Sequence, residues 1–187
     1  MKKLFVLISV CLILPLTVKA QRTSYGANMV AASFGTSFSH IGGELMYGQY
    51  LLHSYWFGAV SYYNYMELES NTKQHIHYPR LCAKGGFMYR AYGNYDRTIN
   101  FYGGLDAFVG VEMFDLYKTL SEEIRNSFKG YKDYCFIYGF APRAEAEYFF
   151  LSELAAIATF RIPFTFNSPF SNPIFGWELS IGIKYNF

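Results

Sequence analysis

Four histidines (His40, His53, His75 and His77), two cysteines in the body of the chain (Cys82 and Cys135) and charges at alternating positions are the residues through which this protein could do chemistry. Nucleophilic catalysis needs a Ser or Cys beside a His that a carboxylate orients. All four histidines fall in turns or at the ends of apolar segments, where an imidazole is a solvated polar group. His75-Ile76-His77 puts two rings on one face of an extended segment, but a zinc site needs further donors and no third ligand is evident nearby. Gly-rich phosphate motifs and CxxC pairs are absent. The sequence predicts a protein that is not an enzyme, with no catalytic, metal-binding or cofactor-binding residues and no cofactor. A lipid-modifying enzyme, tested through His40 and His53, is kept as an alternative.

The charges point elsewhere. Arg80, Lys84, Arg90, Asp106, Glu112, Arg143, Glu145, Glu147, Arg161, Glu178 and Lys184 each fall on the polar side of a segment whose other side is apolar. From Ile99 to Met113, Ile99, Phe101, Leu105, Ala107, Val109, Val111 and Met113 alternate with Asn100, Tyr102, Gly104, Asp106, Gly110 and Glu112. A two-residue period is the signature of a strand with two unlike faces. The run after Arg80 repeats it, with Leu81, Ala83, Phe87, Tyr89 and Ala91 against Arg80, Cys82, Lys84, Met88 and Arg90. So does the run from Tyr134, with Phe136, Tyr138, Phe140, Ala144 and Tyr148 against Arg143, Glu145 and Glu147. In the last segment Phe175, Trp177, Leu179, Ile181, Ile183, Tyr185 and Phe187 oppose Gly176, Glu178, Ser180, Gly182, Lys184 and Asn186. Val30–Phe38, Gly43–Leu51, Tyr55–Leu68 and Leu154–Phe164 complete a set of eight.

The chain carries 18 Tyr, 19 Phe and 2 Trp in 187 residues, more apolar surface than an ordinary soluble core asks for. Strands with aromatics on one face and charge on the other suit a barrel whose outside meets lipid. The predicted fold is therefore all-β, an antiparallel outer-membrane β-barrel of about eight strands. Its lumen is wide enough only for side chains or one small ligand, so the inward charges are expected to pair with one another.

Lys2 and Lys3, the apolar run Leu4 to Leu16 and the small-residue site Val18-Lys19-Ala20 read as a signal peptide over residues 1–20, leaving a single barrel domain over 21–187. The apolar run is thirteen residues, short of the roughly 20 that a spanning helix needs. Removing Lys2, Lys3 and Lys19 from sixteen basic residues leaves thirteen against fourteen acidic ones. That balance lacks the basic face of a nucleic-acid binder, so no direct nucleic-acid binding is expected.

Loop lengths follow the same plan. Short turns are expected around His53-Ser54, Gly93–Asp96 and Leu151–Glu153 on the periplasmic side. External connections are a tight turn at His40-Ile41 and loops over Glu69–His75, Leu116–Lys132 and Asn167–Pro173. The Leu116–Lys132 loop, with Glu122, Glu123, Arg125 and Lys129, is the candidate partner-binding segment. Cys82 and Cys135 fall on strands separated by a third, roughly 9 to 10 Å apart and beyond the about 7 Å that a disulfide bridges.

Ser180, Gly182, Tyr185 and Phe187 fit the polar-x-Gly-x-x-apolar-x-apolar ending that the barrel-assembly machinery recognises. Tyr102-Gly103-Gly104-Leu105-Asp106-Ala107-Phe108-Val109-Gly110-Val111-Glu112, then Lys132-Asp133-Tyr134-Cys135-Phe136-Ile137-Tyr138-Gly139 and Glu145-Ala146-Glu147-Tyr148-Phe149-Phe150-Leu151-Ser152, resemble the TraO family of conjugal transfer proteins of Bacteroides-type conjugative transposons. Gly42-Gly43 and Tyr78-Pro79 fit the same plan. The resemblance implies a non-catalytic outer-membrane component of a mating apparatus, in contact with lipid and with other conjugal transfer proteins. The alternative is a small general barrel acting in adhesion or envelope integrity.

Overall fold

The computed structural model describes residues 25–36, 40–68, 75–93, 98–113, 134–168 and 176–187. Every described element is a strand. They are β1 (Asn28–Thr36), β2 (His40–Tyr50), β3 (Ser54–Leu68), β4 (His75–Tyr92), β5 (Ile99–Met113), β6 (Tyr134–Phe149), β7 (Leu154–Arg161), β8 (Phe164–Phe166) and β9 (Glu178–Asn186). Each consecutive pair from β1 to β7 is antiparallel and hydrogen-bonded, β7 pairs with β9, and β9 pairs back to β1. The sheet closes on itself as an eight-stave antiparallel barrel. Closure removes sheet edges, which is what a β-structure needs where no water can satisfy its backbone.

Nine elements make eight staves because the seventh is broken. The sequence reading carries one strand from Leu154 to Phe164, whereas β7 stops at Arg161 and β8 resumes at Phe164 against β6 alone. Proline cannot donate to a ladder, and Pro163 stands in the gap. Other boundaries differ from expectation too: β1 begins at Asn28 rather than Val30, and His75, expected in a loop, opens β4 opposite Leu68. His40 and Ile41 open β2, paired with Tyr65 and Asn64, rather than forming a turn. The last strand begins at Glu178, with Gly176 and Trp177 outside it and Phe175 outside the described residues.

Alternation is strict where the sequence reading is strict. In β5 the burial of successive residues switches between exposed and buried along nearly its whole length. Leu45, Val60, Leu105, Val109, Ile181 and Ile183 are exposed apolar residues on the outside, while Met29, Tyr50, Tyr55, Met88 and Ile157 are buried inside. Aromatic pairs ring the outside near the end that holds both termini. Tyr47 and Trp56 meet edge to face at 6.1 Å, Tyr92 lies 6.0 Å from Phe101, and Tyr185 stacks on Phe187 at 5.9 Å. Higher on the wall, Phe140 stacks on Phe164 at 5.1 Å and Tyr138 on Phe166 at 5.6 Å. A broad apolar band with aromatics toward its rims is the outer surface of a barrel in hydrocarbon.

At the terminus end β2 and β3, β4 and β5, and β6 and β7 are joined by residues 51–53, 93–98 and 150–153, of which 94–97 lie outside the described residues. Leu51 N–H donates to Ser54 at 2.7 Å to close the first. Gly93 opens the second with φ +103, where a β-carbon would stand 2.1 Å from Asn100 Oδ1, so a side chain is excluded by conformation and by space. Inside the wall Gly86 serves the narrow lumen, since a β-carbon there would meet the Phe57 ring at 2.6 Å. The connection after β5, residues 114–133, is much the longest between strands and lies outside the described residues.

Candidate functional site: the barrel interior

The strand period turns every second side chain into the lumen, and burial there demands partners for each charge. Twelve charged side chains are buried among the described residues: Arg80, Lys84, Arg90, Arg143, Arg161 and Lys184 against Glu44, Asp106, Glu112, Glu145, Glu147 and Glu178. Six cations face six carboxylates, so the filling is neutral as a whole.

The tier farthest from the termini is built on arginines. Arg161 on β7 forks onto Asp106 of β5, Nε to Oδ2 at 2.8 Å and Nη2 to Oδ1 at 2.6 Å, and its Nη1 donates to Glu178 of β9. This is the planar two-bond match that favours guanidinium over ammonium. Arg80 on β4 pairs with Glu112 on β5, Nε to Oε1 at 2.9 Å, and Ser168 Oγ donates to the other oxygen of Glu112 at 2.8 Å. A small pocket among Ser61, Tyr63, Arg80, Lys84, Arg161 and Glu178 has room for about one water molecule.

Glu44 occupies the middle. It accepts from Lys84 Nζ at 2.7 Å and from Arg143 Nη1 at 3.0 Å, joining β2 to β4 and β6. The guanidinium of Arg143 also lies 4.7 Å from the centre of the Phe57 ring. Below it Lys184 donates to Glu145 at 2.5 Å and sits 3.1 Å from Glu147. The hydroxyls of Tyr50 and Tyr102 donate to Glu147 at 2.5 and 3.2 Å, and that of Tyr55 donates to Glu145 at 2.8 Å. Arg90 completes the floor, its Nε donating to the Tyr102 hydroxyl at 3.4 Å.

All eleven charges named from the sequence are buried in the interior. Glu44, which bridges two of them, was missed. The signal was available, because Glu44, Met46 and Tyr50 share one parity and Leu45 and Tyr47 the other. Two glycines, Gly43 and Gly48, blur that alternation in β2. Tyr50, Tyr55 and Tyr102 as carboxylate ligands were missed too, since a buried tyrosine reads as core until its hydroxyl partner is known.

Ser180 and Gly182 lie at the closing seam, opposite Gly35 and Ser33, and Tyr185 and Phe187 are on the outside. Glu122, Glu123, Arg125 and Lys129 lie outside the described residues. Cys82 and Cys135 are buried free thiols. Among the described residues no three His, Cys, Asp or Glu side chains converge as metal ligands do. His53 is in the first turn at the terminus end. The charges of the described interior are largely paired across strands, with Arg143 Nε, Asn100 Oδ1 and both side-chain polar atoms of Asn186 left without a hydrogen-bond partner, and the pairing ties the staves together.

Solved structures share this fold, and two of them show how closely. Neisserial surface protein A superposes with a TM-score of 0.61 at 11% identity, over 88% of this chain and 98% of the other. The N-terminal β-barrel domain of Pseudomonas aeruginosa OprF gives 0.51 at 16% identity, over 88% of this chain and 100% of the other. Both are outer-membrane β-barrels, and at these identities they establish the fold class of this chain and nothing finer. No curated protein sequence matches it. A model of the family described as conjugative transposon protein TraO matches residues 21–187, with the barrel inside that span. On that match the chain belongs to the TraO family of conjugative transposon proteins.

Proposed function

We propose that this protein is a non-catalytic structural component of the mating apparatus, seated in the bacterial outer membrane and engaging other conjugal transfer proteins. The family match over residues 21–187 carries this reading. The interior supports a structural part in it. A lumen holding twelve buried charged side chains and the rings of Tyr50, Tyr55 and Tyr102 offers no passage for DNA, so the protein acts through its wall and its loops. The outer apolar band supports contact with outer-membrane lipid.

Export is assigned to residues 1–20 as a cleaved signal peptide, with 21–187 as the mature domain. Insertion by the barrel-assembly machinery is assigned to Ser180, Gly182, Tyr185 and Phe187. Partner contact is assigned to Leu116–Lys132 and its charges Glu122, Glu123, Arg125 and Lys129.

Cells whose conjugative element lacks this chain are expected to lose transfer, with full recovery when the intact chain is supplied. A chain lacking residues 116–132 is expected to fractionate with the outer membrane, to remain heat-modifiable on gels and to leave transfer at the level of the deletion. Unchanged transfer without the whole chain overturns the function. Full transfer with the shortened chain overturns the loop assignment alone.

A further inference from the structure

Among the described residues Lys184 is the most enclosed cation, with no exposed surface, and it stands on β9, the strand that closes the wall. Its two neighbours in the sheet are β1 and β7. Among the described residues none of its partners comes from either. Glu145 and Glu147 belong to β6, and the rings around the ammonium are Tyr55 of β3 at 4.6 Å, Tyr50 of β2 at 5.7 Å and Tyr102 of β5 at 5.8 Å. The cage is therefore built by strands other than those that flank β9, and its carboxylates are already held by the three tyrosine hydroxyls.

On its lipid face the seam discriminates poorly, and inside it the pairing of Glu178 with Arg161 of β7 and the close packing of Gly182 on β1 are the other marks of register. A slip of one residue turns every side chain of a strand to the wrong face, but a slip of two preserves the faces. On the outside, Leu179, Ile181 and Ile183 lie opposite Thr36, Phe34 and Ala32, and exchanging one aliphatic residue for the next leaves lipid contact almost unchanged. Inside, the series Glu178, Ser180, Gly182, Lys184, Asn186 has no two alike. A slip of two would bring Gly182 or Asn186 to the cage and leave Glu145 and Glu147 buried without this cation. It would also remove Gly182 from its place against β1, where a β-carbon would stand 2.3 Å from Ala32 O.

We propose that Lys184 and the cage of Tyr50, Tyr55, Tyr102, Glu145 and Glu147 set the register in which the barrel closes. A buried polar group that selects one register among near-equivalent ones is the best-attested use of such groups. The device costs stability in desolvation and returns a single closed structure.

The test is crosslinking across the seam in the full chain, assembled in the outer membrane, with Cys82→Ala and Cys135→Ala. Ala32→Cys with Ile183→Cys reports the native register. Ala32→Cys with Ile181→Cys or Tyr185→Cys reports slips of two. The informative background is Lys184→Met with Glu147→Gln, which removes one charge of each sign and leaves Arg143 on Glu145. That variant is expected to insert and stay heat-modifiable while its slipped crosslinks rise about tenfold over those of the Lys184 chain. Slipped crosslinks at the level of the Lys184 chain overturn the proposal. Failure of the double variant to assemble overturns it too, since a register device is not required for the wall to form. Lys184→Arg, which keeps the cation, is expected to restore the native crosslink, and slipped pairs in that variant would equally sink the idea.

Discussion

Arg161→Met is expected to remove the heat-resistant barrel from gels, and adding Asp106→Asn with Glu178→Gln is expected to bring most of it back. Arg161 is 4% exposed and holds two carboxylates at once, one on β5 and one on β9. Taking it away removes the two-bond partner of Asp106 and a direct donor to Glu178 where burial makes an uncompensated charge costly. Deleting one partner of a buried pair costs about 3–5 kcal/mol, a large share of the roughly 5–15 kcal/mol by which a domain is stable. The neutral triple variant has no charge left to strand, and a methionine is flexible enough to fill the space beside Phe108. The comparison separates charge from packing. If the triple variant is as damaged as Arg161→Met, the guanidinium acts by its shape and the electrostatic account of the lumen fails.

The second large effect lies on the outside. Leu105 is 53% exposed at the middle of β5, with Phe87 and Pro142 opposite it on the adjoining strands. In water an arginine there would be harmless. At the middle of a hydrocarbon layer it costs about 2–4 kcal/mol, falling to about 0–1 kcal/mol near the interfaces. Leu105→Arg is therefore expected to lower the denaturant midpoint of the barrel in lipid vesicles strongly, and Ile99→Arg, at the terminus end of the same strand, only slightly. Equal and small effects at the two positions would mean that this face meets water, and the membrane reading would go with it.

How far such features are legible from residues alone depends on their range. The alternation in β5 is visible because neighbouring residues alone create it, and the eleven inward charges follow from the same parity. Pro163 was also visible, yet the reading of Leu154–Phe164 ran through it. A missing N–H breaks a ladder only if a neighbour is waiting there, and that neighbour is a tertiary fact. Glu44 escaped because Gly43 and Gly48 thin the pattern of β2.

Pairing is another matter. Tyr50 reaches Glu147 across 97 residues of sequence, and Arg143 reaches Glu44 across 99. No local rule connects them, and any of six cations could have met any of six carboxylates. By itself the sequence determined which side of each strand meets the apolar surroundings and which meets the lumen, because a period of two is a property of adjacent residues. Only the closed barrel decided which charges touch, because the partners are set by the register of the staves and by a lumen narrow enough for side chains from opposite walls to meet.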